Sequence, residues 1–130
     1  MYDDEEHISK VNIIMKGGTI SGNKAYNGGG IWGFLVDNSK KGIKPEVNFI
    51  LSNGTISNNT AKDSGGGIFS SYGTINMSGG KISENNASLG GGVYFDFNKF
   101  VMTDGIISKN QAKRGGGVAN YGTFEMSGSS

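Results

Sequence analysis

The chain has 130 residues, 24 of them glycine, with one proline, no cysteine and a formal net charge of +1 from 12 basic and 11 acidic side chains. Lack of cysteine excludes a disulfide scaffold and thiol chemistry, and the balanced charge argues against a phosphate-tracking surface and so against a nucleic-acid partner. No apolar run approaches the roughly 18 residues of a membrane span, so direct membrane insertion of this segment is not expected.

In chain order, residues 1–12 open with Met1-Tyr-Asp-Asp-Glu-Glu-His7. This is an acidic leader, or a partial N-terminal rung through Ile8 and Val11, and it lacks the basic start and apolar stretch of a signal peptide. Residues 13–130 are repetitive. Four segments share one pattern: Ile20-Ser-Gly-Asn23-Lys-Ala25, Ile56-Ser-Asn-Asn59-Thr-Ala61, Ile82-Ser-Glu-Asn85-Asn-Ala87 and Ile107-Ser-Lys-Asn110-Gln-Ala112. Each is followed by a glycine triplet and then Ile31, Ile68, Val93 or Val118. Measured at its alanine, the unit recurs after 36, 26 and 25 residues. The longer first interval places an insertion at about 33–48.

Ahead of each unit an apolar pair alternates with a polar residue: Ile13/Met15, Phe49/Leu51, Ile75/Met77, Phe100/Met102 and Phe124/Met126. That is strand periodicity with the pair facing inward. Gly18, Gly54, Gly80 and Gly105 then mark a corner, where glycine adopts positive φ without steric cost. A second short strand carries the repeated Ile, the Asn-x-Ala segment makes another corner, and the glycine triplet a third. Three strands and three corners in about 25 residues predict a right-handed, single-stranded parallel β-helix (β-solenoid) of about four to five rungs. A helical reading fails because each glycine would cost about 1 kcal/mol relative to alanine. The column Asn23, Asn59, Asn85 and Asn110 is expected to form an internal amide ladder, since a buried amide left unpaired costs about 1–3 kcal/mol. Ser21, Ser57, Ser83 and Ser108 are expected on a solvated outer face.

The paired motifs Ile-x-x-Asn-x-Ala and Gly-Gly-Gly-[Ile/Val] resemble the repeats of chlamydial polymorphic outer membrane proteins, whose signatures are Phe-x-x-Asn and Gly-Gly-Ala-[Ile/Leu/Val]. The resemblance runs from about Ile13 to Gly128. It departs consistently, with Ile in place of Phe and with Gly30, Gly67, Gly92 and Gly117 in place of Ala, both read as compatible with the same packing. It implies a surface-displayed or secreted passenger segment of the autotransporter type, often adhesive, located at a bacterial cell surface or outside the cell. The handedness of the coil rests on this analogy.

Parallel β-helices also house polysaccharide lyases and hydrolases, whose chemistry needs clustered carboxylates. Here Asp37, Glu46, Asp63, Glu84, Asp96, Asp104 and Glu125 fall at different repeat positions, and the one histidine, His7, lies in the leader. No calcium-binding repeat or phosphate loop is present. The chain is therefore read as non-catalytic, with no cofactor and no metal, and a carbohydrate-active fragment is the weakest alternative.

Recognition is expected at the variable positions. Trp32, Phe69 and Tyr94 follow the triplets as an outward column that either stacks on itself or engages a host or cell-surface protein or glycan. Tyr72, Phe97 and Tyr121 form a second aromatic column. The insertion carries Lys40, Lys41 and Lys44 and has loop chemistry suited to partner contact. The last copy stops after its first strand, at Met126-Ser-Gly-Ser-Ser130. That suggests either a segment of a longer passenger or a self-assembling unit, a dimer or fibre joined through solenoid ends.

Overall fold

The computed structural model describes residues 10–34 and 46–128. Among these the chain is all-β, without helices. Its strands are β1 (Lys10–Ser21), β2 (Lys24–Asn27), β3 (Ile31–Phe34), β4 (Glu46–Ser57), β5 (Thr60–Ser64), β6 (Ile68–Ser71), β7 (Thr74–Ser83), β8 (Val93–Ser108) and β9 (Val118–Met126). One sheet has the order β1-β4-β7-β8-β6-β3, with β9 also on β8, while β2 and β5 form a second, two-stranded sheet. All these pairings are parallel. The larger sheet curls because β8 serves two faces: Val93 aligns with Ile68 of β6, whereas Ile107 aligns with Ile82 of β7.

Register follows the repeat. Leu51 aligns with Met15 and Met77, Met77 with Met102, Ile82 with Ile56 and Ile107, and Val93 with Ile68 and Val118. Slipping one residue would turn the whole apolar set to the opposite face, so like stacks on like. Ile75, Ile82, Val93, Phe95 and Phe100 are fully buried. Burial of each such side chain stabilises by about 1.5–3 kcal/mol. Burial falls away towards β1 and β9: Ile13 is 38% exposed and Met126 57%, since among the described residues each has a neighbouring repeat on one side only. Stability is thus distributed over interfaces between adjacent repeats.

Three details depart from the sequence reading. The glycine corner does not end a strand. Gly18, Gly54, Gly80 and Gly105 have φ of 82°, 106°, 82° and 109°, yet each lies inside one long strand. Every repeat bends at the same place, so the ladder shifts register there and resumes. Ser83 is also not on a solvated face, being only 3% exposed. Finally, Phe95 joins the core unannounced, edge-on to Phe100 at 5.7 Å. Its column is Gly33, Ser70, Phe95 and Asn120, which no repeat rule marks. Gly33 is needed there because an added Cβ would lie 2.6 Å from Cζ of the Phe49 ring.

The residue before each ladder asparagine is left-handed: φ is 70° at Gly22 and 56° at Asn58, Glu84 and Lys109. Only glycine adopts this conformation without a clash between Cβ and backbone. Glu84 is exposed, so Glu84→Gly is expected to raise stability by about 0.5–1 kcal/mol. A higher urea midpoint at unchanged m-value checks this. A lower midpoint contradicts it.

Candidate recognition face

Residues that follow the glycine triplets are held by β3, β6, β8 and β9, with Trp32, Phe69, Tyr94 and Ala119 in register. In β8 the alternation sends Val93 and Phe95 inward, leaving Tyr94 and Asp96 on the other side. Phe69 and Tyr94 stack with centroids 4.9 Å apart and planes 7° from parallel. Tyr121 adds a tilted contact to Tyr94 at 5.6 Å. Trp32 and Tyr121 are more than half exposed. A face-to-face stack uses ring faces on neighbouring rings and presents a ribbon of ring edges to solvent.

The sequence places Tyr121 in one column with Tyr72 and Phe97, and the structure moves it. A register shift between Asp96 and Lys99 drops Phe97 out of the ladder, so Tyr121 aligns with Asp96 and lies beside Tyr94. Tyr72 and Phe97 remain stacked, with centroids 4.6 Å apart. Both have positive φ, 66° and 57°, a strained conformation for a bulky side chain.

A carboxylate anchors the first column. The Tyr94 hydroxyl donates to Asp96 Oδ2 at 2.7 Å, and the Ser71 hydroxyl donates to Asp96 Oδ1 at 2.7 Å. Burial pushes the Tyr94 phenol above its ordinary value, and its hydrogen bond to Asp96 and the charge of Asp96 add to the shift. Its proton is therefore held in the folded chain at a pH where an unfolded tyrosine, with pKa about 10, has lost it. The unfolded state then binds fewer protons, so this contribution is complete below pH ~10 and is lost as pH rises further. Wild type is expected to lose stability more steeply above that pH than Tyr94→Phe. Urea melts across the alkaline range check this, and parallel curves contradict it.

The asparagine column lies at another corner. Asn59 and Asn85 are 0% and 1% exposed. Asn23 Nδ2 donates to Asn59 Oδ1, Asn59 Nδ2 to Asn85 Oδ1 and Asn85 Nδ2 to Asn110 Oδ1, each at 3.0 Å. Asn59, Asn85 and Asn110 also donate through Nδ2 to the carbonyls of Ile20, Ile56 and Ile82 in the preceding repeat. Outside this ladder, Asn58, Thr60, Glu84, Asn86, Lys109 and Gln111 border a polar groove of about 460 Å³ that the sequence did not single out. Neither of its columns, Asn58, Glu84 and Lys109 or Thr60, Asn86 and Gln111, keeps one residue type from repeat to repeat, so no motif marked them.

Lys40, Lys41 and Lys44 lie outside the described residues, as does His7. Among the described residues, no three His, Cys, Asp or Glu side chains are grouped so as to hold a metal ion. The ion pair between Lys99 and Glu125, 3.5 Å apart, is half exposed and of the kind that contributes about 0–1 kcal/mol.

Neither a curated protein nor a solved structure matches the chain. Residues 53–71, which contain the ladder Asn59, the triplet Gly65–Gly67 and strand β6, match the Chlamydia polymorphic membrane protein repeat.

Proposed function

We propose that this chain is a non-catalytic, surface-associated recognition segment, built as a right-handed parallel β-helix and acting through the aromatic column Trp32, Phe69, Tyr94 and Tyr121. The match of residues 53–71 to a repeat of chlamydial outer-membrane proteins supports a location at the cell surface. In-register stacking of successive repeats supports the solenoid. The observation that carries the recognition reading is the in-register aromatic column itself, whose ends Trp32 and Tyr121 are 58% and 55% exposed.

Ring stacking also favours one class of partner. A sugar ring stacks on an open aromatic face, but Phe69 and Tyr94 cover one another. Ring edges suit the apolar surface of a protein, where Trp and Tyr anchors dominate binding. The test is binding of the labelled chain to cultured host cells. Trp32→Ser combined with Tyr121→Ser should weaken it at least about ten-fold in a variant whose circular dichroism shows it folded at the assay temperature. Binding should vanish from protease-shaved cells and survive glycosidase treatment. Undiminished binding of the double variant would overturn the proposal, and sensitivity to glycosidase would replace the protein partner with a glycan.

A second reading, assembly through sheet edges, is favoured by the apolar exposure at β1, where Val11 is 50% and Ile14 52% exposed. Among the described pairings, β1 has only β4 as a neighbour. Open parallel edges recruit further strands. Sedimentation that stays monomeric at high concentration would remove this reading.

A further inference from the structure

The sequence contains two Asn-Gly steps, Asn27-Gly28 and Asn53-Gly54, and the structure treats them in opposite ways. Asn-Gly is the step most open to intramolecular attack, because no side chain on the following residue shields its backbone nitrogen.

At the first step both partners are held. Gly28 N–H donates to the Ser64 carbonyl at 2.9 Å, and Asn27 Oδ1 accepts from Ser64 N–H at 3.1 Å. Gly28 is buried. At the second step Asn53 is exposed. Gly54 lies where the ladder skips: pairing to β1 jumps from Asn53 to Thr55, and pairing to β7 from Leu51 to Thr55. Gly54 N–H donates instead to Oδ1 of Asn53 itself, at 2.8 Å. The attacking nitrogen is thus already folded against the side-chain amide, with the carbonyl carbon one bond beyond the contacted oxygen. Near-attack placement of this kind removes much of the entropic cost of a reaction.

We propose that Asn53 is a site of spontaneous deamidation in the folded protein, whereas Asn27 is protected. Gly54 N, after loss of its proton to hydroxide, bonds to Asn53 Cγ and forms a five-membered succinimide. The Cγ–Nδ2 bond breaks, and the departing amide takes a proton from water and leaves as ammonia. One water molecule then opens the ring at either carbonyl, giving aspartate or isoaspartate. No oxidation state changes.

The chain already contains the image of the aspartate product. Asp104 occupies the equivalent corner, its Oδ1 accepts from Gly105 N–H at 2.7 Å, and Gly105 has φ 109° against 106° at Gly54. An aspartate at 53 is therefore accommodated, and it aligns with Lys16 of β1, a favourable opposite-charge cross-strand pair. Isoaspartate instead lengthens the backbone within β4.

The test incubates the full chain in mildly alkaline buffer and follows both sites by peptide mapping and mass spectrometry. Asn53 should gain about one dalton, as a mixture of aspartate and isoaspartate, at a rate that rises with pH. Asn27 should convert at least about ten-fold more slowly, because it must first open locally. In denaturing urea the two rates should converge. An unconverted Asn53 when the unfolded chain has fully reacted, or equal rates at both sites in the folded chain, would overturn the proposal.

Discussion

Replacing Asn85 by leucine should destabilise the chain by about 3–5 kcal/mol, lowering the melting temperature by roughly 10–20 °C. Oδ1 of Asn85 accepts from both the backbone N–H and the Nδ2 of Asn59, each at 3.0 Å, and its Nδ2 reaches the Ile56 carbonyl at 3.0 Å. Leucine satisfies none of these. Because Asn59 is fully buried, no water replaces the lost acceptor, and the desolvation penalty of each orphaned group is paid in full. Glu84→Ala, one residue away on an exposed side chain, should change stability by less than about 0.5 kcal/mol. Thermal melts that coincide for the two variants would show that the asparagine column does not hold the repeats together.

Gly67→Ala should cost about 3 kcal/mol, whereas the same change at Gly117 should be nearly silent. A Cβ on Gly67 would lie 2.6 Å from the Gly92 carbonyl oxygen and 3.1 Å from Nδ2 of Asn85, neither of which can yield without disturbing the next repeat. A Cβ on Gly117 meets only Cγ2 of Ile107, at 3.6 Å. The difference is topological: Gly30, Gly67 and Gly92 each face the triplet of the following repeat, and Gly117 meets no further triplet among the described residues. This corrects the view that glycine simply replaces the alanine of the Gly-Gly-Ala signature. In the interior of this stack the triplets approach too closely for alanine. Urea denaturation of both variants checks the contrast, and equal losses would contradict it.

What the sequence revealed was whatever repeats. The isoleucine, asparagine and glycine columns are constant because each copy packs on a like copy in an adjacent repeat, so their spacing announced both strand direction and register. Properties that depend on a single pair of repeats were hidden. Phe95 faces Ser70 on one side and Asn120 on the other, so no column consensus marked it as core. Tyr121 changed partners because of one local register shift. Continuity of strands through the glycine corners arises from adjacent repeats bending together, which no single segment encodes. Of the residues suggested for recognition, Trp32, Phe69 and Tyr94 share one register, while the insertion lysines fall outside the described residues.

Parallel, in-register stacking of consecutive repeats is the claim on which the rest depends, and a chain without cysteine allows it to be tested covalently. Thr55 and Lys81 are aligned neighbours, and Lys81 is aligned in turn with Ile106. Neighbouring strands lie about 4.8 Å apart, within disulfide reach, whereas positions two repeats apart are roughly 10 Å distant, beyond the ~7 Å limit between Cα atoms. Under mild oxidation at low protein concentration, the pair Thr55→Cys and Lys81→Cys should cross-link within the chain, and the pair Thr55→Cys and Ile106→Cys should not. A cross-link in the second pair, or none in the first, would contradict the stacking.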